Sequence, residues 1–261
     1  VGVDGISVLF IILVTILSIL CVSVSWKAIQ KKTKEFFVSL LIMETAMIGV
    51  FVSLNIFLFY LFWELTLIPM FLLIGVWGGS NRIYATIKFV LFTLAGSVLM
   101  LVGIIVLYYA GGKTFDILEL SNGNYPPHLQ VWLFLAFFAA FAVKMPMFPV
   151  HTWLPDAHVQ APTAFSVMLA GVMLKMGAYG FFRLAWPMCP DALAADWSFF
   201  GVFSFTCYTG VAVLGLVNII YGAMVAMAQK DFKSLVAYSS VSHMGYILLG
   251  LGAFTHAAFE G

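Results

Sequence analysis

The sequence predicts an all-α fold, a polytopic bundle of transmembrane helices, and three observations carry that prediction. Of 261 residues, 63% are hydrophobic and only 9% are charged, against about 25% charged in a soluble domain. Mean hydropathy is +1.08, more apolar surface than a soluble core of this length can hide. The apolar runs are about 20 residues long and carry Gly and Pro, which suits helices that cross a bilayer and not barrel strands. A net charge of +1 offers no footing for nucleic acid. The three cysteines, Cys21, Cys189 and Cys207, form no C-x2-C pair, so neither an iron–sulfur cluster nor a zinc site has its ligands. The chain begins at Val1 in a polar turn, without Met or a signal peptide, and is expected to be part of a longer protein.

Eight spans are expected. The first, 6–26, closes in the basic run Lys27, Lys31, Lys32 and Lys34. The second, 36–53, contains Glu44, and the third, 54–76, contains Glu64; the turn between them is only Ser53 to Asn55. Gly78, Gly79, Ser80, Asn81 and Arg82 lead into the fourth, 83–110, with Lys88 near its start. A longer loop, 111–130, precedes the fifth span, 131–150, which holds Lys144 and breaks at its prolines, Pro146 and Pro149. The sixth, 162–186, starts after Pro162 and has Lys175 at its middle. An acidic, proline-bearing loop, 187–197, leads to the seventh, 198–227. The turn 229–233 opens the eighth, 233–254, with His243 at its middle.

Alternating the loops between two sides tests this count. Eight basic residues collect on one side: Lys27, Lys31, Lys32, Lys34, Arg82, Lys88, Lys230 and Lys233. The other side has Lys113 and Arg183, and Lys144 and Lys175 lie inside. The positive-inside rule makes the lysine-rich side cytoplasmic or matrix. Removing one span would scramble the asymmetry.

The internal charges then demand a reason. A charge at the centre of a lone helix costs about 2.5–3.5 kcal/mol on insertion scales. Glu44, Glu64, Lys175 and His243 fall near the middle of their spans, and Lys144 lies deep if its helix resumes after Pro149. Such groups are tolerated when they face a common polar interior. Glu44 and Glu64 can meet Lys144 and Lys175, and a lysine whose carboxylate approaches and withdraws can bind and release a proton. A static buried ion pair is the alternative for Glu64 and Lys144, and a single bond to a neighbouring helix is the alternative for Glu44. Beside the break, His151, Asp156 and His158 resemble a metal set only weakly. Ser239, Ser240 and Ser242 either hold waters or bond helix to helix. Lys88 either snorkels to the interface or joins the polar axis. Gly111–Gly112–Lys113–Thr114 imitates the end of a phosphate loop, but Leu107 stands where that motif needs glycine.

Four stretches carry a resemblance. They are FYLFWELTLIPMFLLIGVWGG (59–79), RIYATIKFVLFTLAGSVLMLVG (82–103), KMPMFPVHTWLPDAHVQAPTAFSVMLAGVMLKMGAYGFFR (144–183) and AQKDFKSLVAYSSVSHMGY (228–246). The chain resembles, over nearly its whole length, the M-type (chain 4) antiporter-like subunits of respiratory complex I, NADH-quinone oxidoreductase. FWELTLIPM favours that type over its L- and N-type relatives and over sodium/proton antiporter subunits.

The resemblance implies fourteen helices with two inverted five-helix repeats, of which this chain would cover about the third to the tenth. Residues 36–187 would be the first repeat and 198–261 the truncated start of the second, in one transmembrane domain. It implies a proton-translocating, non-redox subunit, with the essential glutamate at Glu64, the broken-helix lysine at Lys144, the bridging lysine at Lys175 and the central-axis histidine at His243. Glu44, Lys88, His151 and His158 are secondary candidates, the two histidines for proton passage or for packing. No cofactor or metal is expected in this chain; FMN, iron–sulfur clusters and quinone belong to other subunits. The implied partners are neighbouring L- and N-type and other membrane-arm subunits, the lipid bilayer, protons and water. The implied setting is a bacterial plasma membrane or mitochondrial inner membrane. A sodium/proton antiporter or membrane-bound hydrogenase subunit is the alternative.

Overall fold

A computed structural model describes residues 1–194, 196–199 and 203–253. Among the described residues, eight helices are long and apolar enough to cross a membrane: Gly5–Ala28, Thr33–Val52, Ile56–Trp77, Arg82–Ala110, Pro127–Lys144, Thr163–Met188, Cys207–Met227 and Phe232–Ala253. They are spans one to eight below. The polytopic helical bundle read from composition is therefore the observed fold, and the protein is an integral membrane protein.

Local chemistry sets the ends. Asp4 caps span one by accepting the Ser7 amide at 2.8 Å, and Asn55 caps span three by accepting the Phe57 and Leu58 amides. Asp231 accepts the Ser234 amide at the start of span eight. Each side chain takes amides that a helix start leaves without partners. Span five starts at Pro127, where a missing N–H costs nothing.

Span seven begins at Cys207, later than its apolar run suggested. Two short antiparallel strands, Asp196–Phe199 and Phe203–Thr206, precede it. In 196–206 serines alternate with aromatics, a period-two pattern that a hydropathy average reads as apolar span. Thr206 then caps the helix at the Thr209 amide. Span five also stops earlier than expected, at Lys144 and not at residue 150. Pro146 disfavours helical geometry in the residue before it, and Met145 has already left the helix. A second helix, Trp153–Gln160, follows the break.

Span one turns a small and polar face inward and gives its large apolar residues to lipid, whereas spans two and five also bury phenylalanines such as Phe36 and Phe137. Span one buries Ser7, Val14, Ser18, Cys21 and Ser25, while Leu9, Ile16, Ile19 and Trp26 are exposed. Lipid is as apolar as leucine, so close packing and hydrogen bonds decide which face turns inward. Span seven packs along span eight on the same terms. A Cβ on Gly222 would lie 2.7 Å from the Ser242 amide nitrogen, and one on Gly215 2.7 Å from that of Leu249.

The loops sort into two ends, as the charge alternation required. At the lysine-rich end, the Trp77 indole donates to the Lys31 carbonyl at 2.7 Å and Lys233 reaches the Ala161 carbonyl at 2.9 Å. At the other end, Gln130 donates to Asp191, and Arg183 pairs with Asp4, each at 2.7–2.8 Å. Burial pushes the Asp4 carboxyl up, but hydrogen bonds from Ser7 and the Arg183 charge together hold it below its ordinary value of 3.8. Its contribution to stability is therefore complete above that ordinary value and lost as pH falls through the lower folded one. Because Asp4 is partly exposed, the contribution is small. Melting curves of wild type and Arg183→Met are expected to differ slightly near neutral pH and to converge as acid protonates Asp4 in the folded state.

Candidate functional site

Two interrupted helices meet at the site. Span three breaks at Thr66, between Ile56–Leu65 and Leu67–Trp77. Pro69 supplies no amide for the turn, and the Thr66 hydroxyl folds back to donate to the Trp63 carbonyl at 2.7 Å. Span five ends at Lys144, only 3% exposed. Its Nζ donates to Thr66 Oγ1 at 3.3 Å and lies 5.3 Å from the centroid of the Trp63 ring, whose face attracts a cation. Glu64 is half-buried on the same turn, with a buried carboxylate oxygen, Oε1, that has no hydrogen-bond partner.

The Glu64–Lys144 ion pair allowed by the sequence is not formed. Among the described residues, the ion pairs are Lys88–Asp156 and Arg183–Asp4, each at 2.7 Å. Lys144 is instead solvated by a hydroxyl and an aromatic face. Thr66 was not singled out in the sequence. Its signal was available: a threonine three residues before a proline inside a span.

The break after Lys144 is held from three directions. The Trp153 indole donates to the Val143 carbonyl at 3.0 Å, joining the helix after the break to the helix before it. The Phe148 amide donates to Asn218 Oδ1 at 2.8 Å, and Asn218 Nδ2 reaches the Pro146 carbonyl at 3.4 Å. Asn218 is fully buried on span seven, and it was missed in the sequence although it is the sole Asn in an apolar helix. Asn218→Leu leaves the Phe148 amide unpaired in a part-buried break at membrane depth, which costs about 1 kcal/mol or more. The expected results are a lower melting temperature and faster proteolysis within 145–150. Finally, Gly177 of span six lets that helix close on the break, since its Cβ would lie 2.8 Å from Met145 Cβ.

The helix Trp153–Gln160 is fixed at both ends. Lys88 pairs with Asp156 in its first turn at 2.7 Å. Lys233 donates to the Val159 and Ala161 carbonyls at its other end, where a cation suits the helix dipole. His151 is buried among Phe148, Tyr221 and Tyr238, with ring centroids 5.1–6.3 Å away and neither ring nitrogen hydrogen-bonded. His158 is also buried, with Nδ1 unpartnered. Asp156 is committed to Lys88, and among the described residues no three metal-ligating side chains come together.

Among the described residues, Lys175 and His243 take hydrogen-bond partners other than Lys144. Lys175 donates to the Gly171 and Ala170 carbonyls at 2.6 and 3.4 Å. Two π-helical turns, Leu169–Met173 and Phe181–Ala185, lie on either side of it, a distortion common at functional sites and invisible in the sequence. It opens on a 470 Å³ groove shared with Phe10, Tyr179 and Ile247. His243 is exposed on span eight and bonds the Ser239 carbonyl at 2.7 Å. Ser242 bonds the Ile219 carbonyl of span seven, and Ser240 bonds within its own helix. Glu44 is half-buried on span two. No hydrogen bond among the described residues joins Glu64, Lys144, Lys175 or His243 directly to another of the four.

A transmembrane family described as NADH:quinone oxidoreductase/Mrp antiporter matches residues 53–261. The chain belongs to that family. Among curated relatives of this oxidoreductase/antiporter family, it is 51% identical to NADH-quinone oxidoreductase subunit M of Rhodobacter capsulatus over 100% of this chain and 51% of that protein. It is 47% identical to NADH-ubiquinone oxidoreductase chain 4 of Chondrus crispus over the same shares. The chain thus spans about half the length of these relatives. Among solved structures, a chain of respiratory complex I from Thermus thermophilus superposes with a TM-score of 0.82 at 35% identity, covering 96% of this chain and 50% of that one. A chain of the Mrp complex from Dietzia sp. DQ12-45-1b superposes with a TM-score of 0.83 at 23% identity, covering 98% and 27%, which shows the shared fold.

Proposed function

We propose that this chain is part of a proton-translocating membrane-arm subunit of an NADH-quinone oxidoreductase. The observation that carries the reading is Lys144. An ammonium buried in a transmembrane break, held by one hydroxyl and one indole, has no fixed counter-charge to lock it. Glu64, two residues before Thr66 on span three, offers a carboxylate oxygen that is buried and unsatisfied. An unpaired acid and an unpaired base at membrane depth can exchange or pass a proton when water or a side-chain movement connects them. Lys175, freed toward its groove by the π turns, and His243 extend the same path; Glu44, His151 and His158 are secondary members.

The chain itself carries no redox group in this reading. FMN, iron–sulfur clusters and quinone sit in other subunits, and L- and N-type subunits flank this one. Residues 36–187 form one inverted repeat and 198–261 begin another. The lysine-rich end faces the cytoplasm or matrix.

The test is proton uptake by the complete complex in proteoliposomes during quinone reduction. Glu64→Gln is expected to abolish the uptake assigned to this subunit while the complex still assembles. Uptake that requires sodium, and stops when choline replaces it, would instead support a sodium/proton antiporter.

A further inference from the structure

At the lysine-rich end of the bundle, outside the Lys144 site, lies a cavity of about 750 Å³ between the turn joining spans one and two and the turn leaving span three. Lys31, Lys32 and Arg82 line it, together with Ile29, Val76 and Trp77. We infer that this cavity binds the phosphodiester headgroup of an anionic phospholipid from the surrounding bilayer.

Its charge is one-sided: three of the lining residues are cations and none is an acid. The walls are built before any ligand arrives. The Trp77 indole donates to the Lys31 carbonyl at 2.7 Å, and its ring stacks edge-on against Phe36 at 5.4 Å. Lys32 holds φ 49, a left-handed backbone that favours glycine. A lysine kept where glycine would fit better places a cation at the start of span two, whose first amides no side chain caps. Span four also starts here, at Arg82, and Asn81 provides no side-chain cap for it. Two uncapped helix starts and three cations therefore converge on one cavity, and both features attract phosphate.

The apolar side of the cavity selects lipid over a free anion. Ile29 and Val76 belong to its lining, and Trp26, Ile83 and Tyr84, within two residues of lining positions along the chain, are exposed. That surface is a track for acyl chains, whereas inorganic phosphate would leave it unused. The location agrees, because basic pockets between helices on this leaflet meet anionic headgroups.

The test uses the complete complex, delipidated in mild detergent and titrated with phosphatidylglycerol or phosphatidylcholine, with bound lipid counted by native mass spectrometry. Tighter retention of phosphatidylglycerol is expected, with the preference weakened by salt. The triple variant Lys31→Gln, Lys32→Gln, Arg82→Gln is expected to lose that preference by roughly 10- to 100-fold. Lys32→Gly relieves the backbone while removing one cation, so a several-fold loss in this well-folded variant supports the site. Lys27→Gln with Lys34→Gln alters nearby charge outside the lining and should leave retention unchanged. Equal retention of the two lipids, equal loss in the Lys27/Lys34 control, or displacement of the lipid by millimolar inorganic phosphate would each overturn the assignment.

Discussion

Lys144→Met is expected to eliminate proton translocation through this subunit without preventing assembly. Methionine is close to the lysine stem in length and fills the same buried space, so packing against Trp63 survives. Replacing a buried cation with an apolar group removes the cost of charge at membrane depth, about 2.5–3.5 kcal/mol on insertion scales, and stability should hold or rise. What disappears is the buried amine that ends span five beside Thr66. Loss of a positioned acid–base group slows proton transfer by about 100-fold or more. The measurement is the proton-to-electron ratio of the complete complex in proteoliposomes, with assembly checked by native electrophoresis. An assembled Lys144→Met complex with an undiminished ratio would remove Lys144 from the path.

Gly177→Val should act through geometry, since it removes no ionisable group. A Cβ at 177 would stand 2.8 Å from Met145 Cβ, 3.0 Å from the Met145 amide nitrogen and 3.1 Å from the Phe141 carbonyl oxygen. Two of those three atoms are backbone and cannot swing aside. Spans five and six must separate at the turn that carries Lys144, at a cost of about 1–3 kcal/mol for the added bulk. Lys144 then shifts relative to Thr66, whose 3.3 Å hydrogen bond has little slack. The expected result is a lower melting temperature of the complex and reduced proton uptake, with Gly177→Ala milder in both. Wild-type melting together with wild-type uptake in Gly177→Val would show that the close approach is not needed.

The pairing of partners is where sequence reasoning ran short. Lys88 was expected either to snorkel or to join the axis; it binds Asp156, a residue 68 positions away. Opposite charges can meet at Glu64 and Lys144 by sequence; a threonine and a tryptophan from the broken turn hold the lysine. Hydropathy and spacing report how deep a residue lies along a helix axis. They do not report rotation about that axis, which decides whether Lys144 bonds to Glu64 or to Thr66.

By itself, the sequence determined the environment, the spans and the depth of the charges, because crossing a bilayer needs about 20 apolar residues and each buried charge stands out against them. It also determined which loops share an end, since basic residues alternate with span parity. The tertiary structure alone decided the break at Thr66, the clamp from Asn218, the π turns around Lys175 and the groove on which that lysine opens. These depend on how neighbouring helices rotate and approach, and in a lipid solvent that is settled by small-residue contact and hydrogen bonding between distant segments.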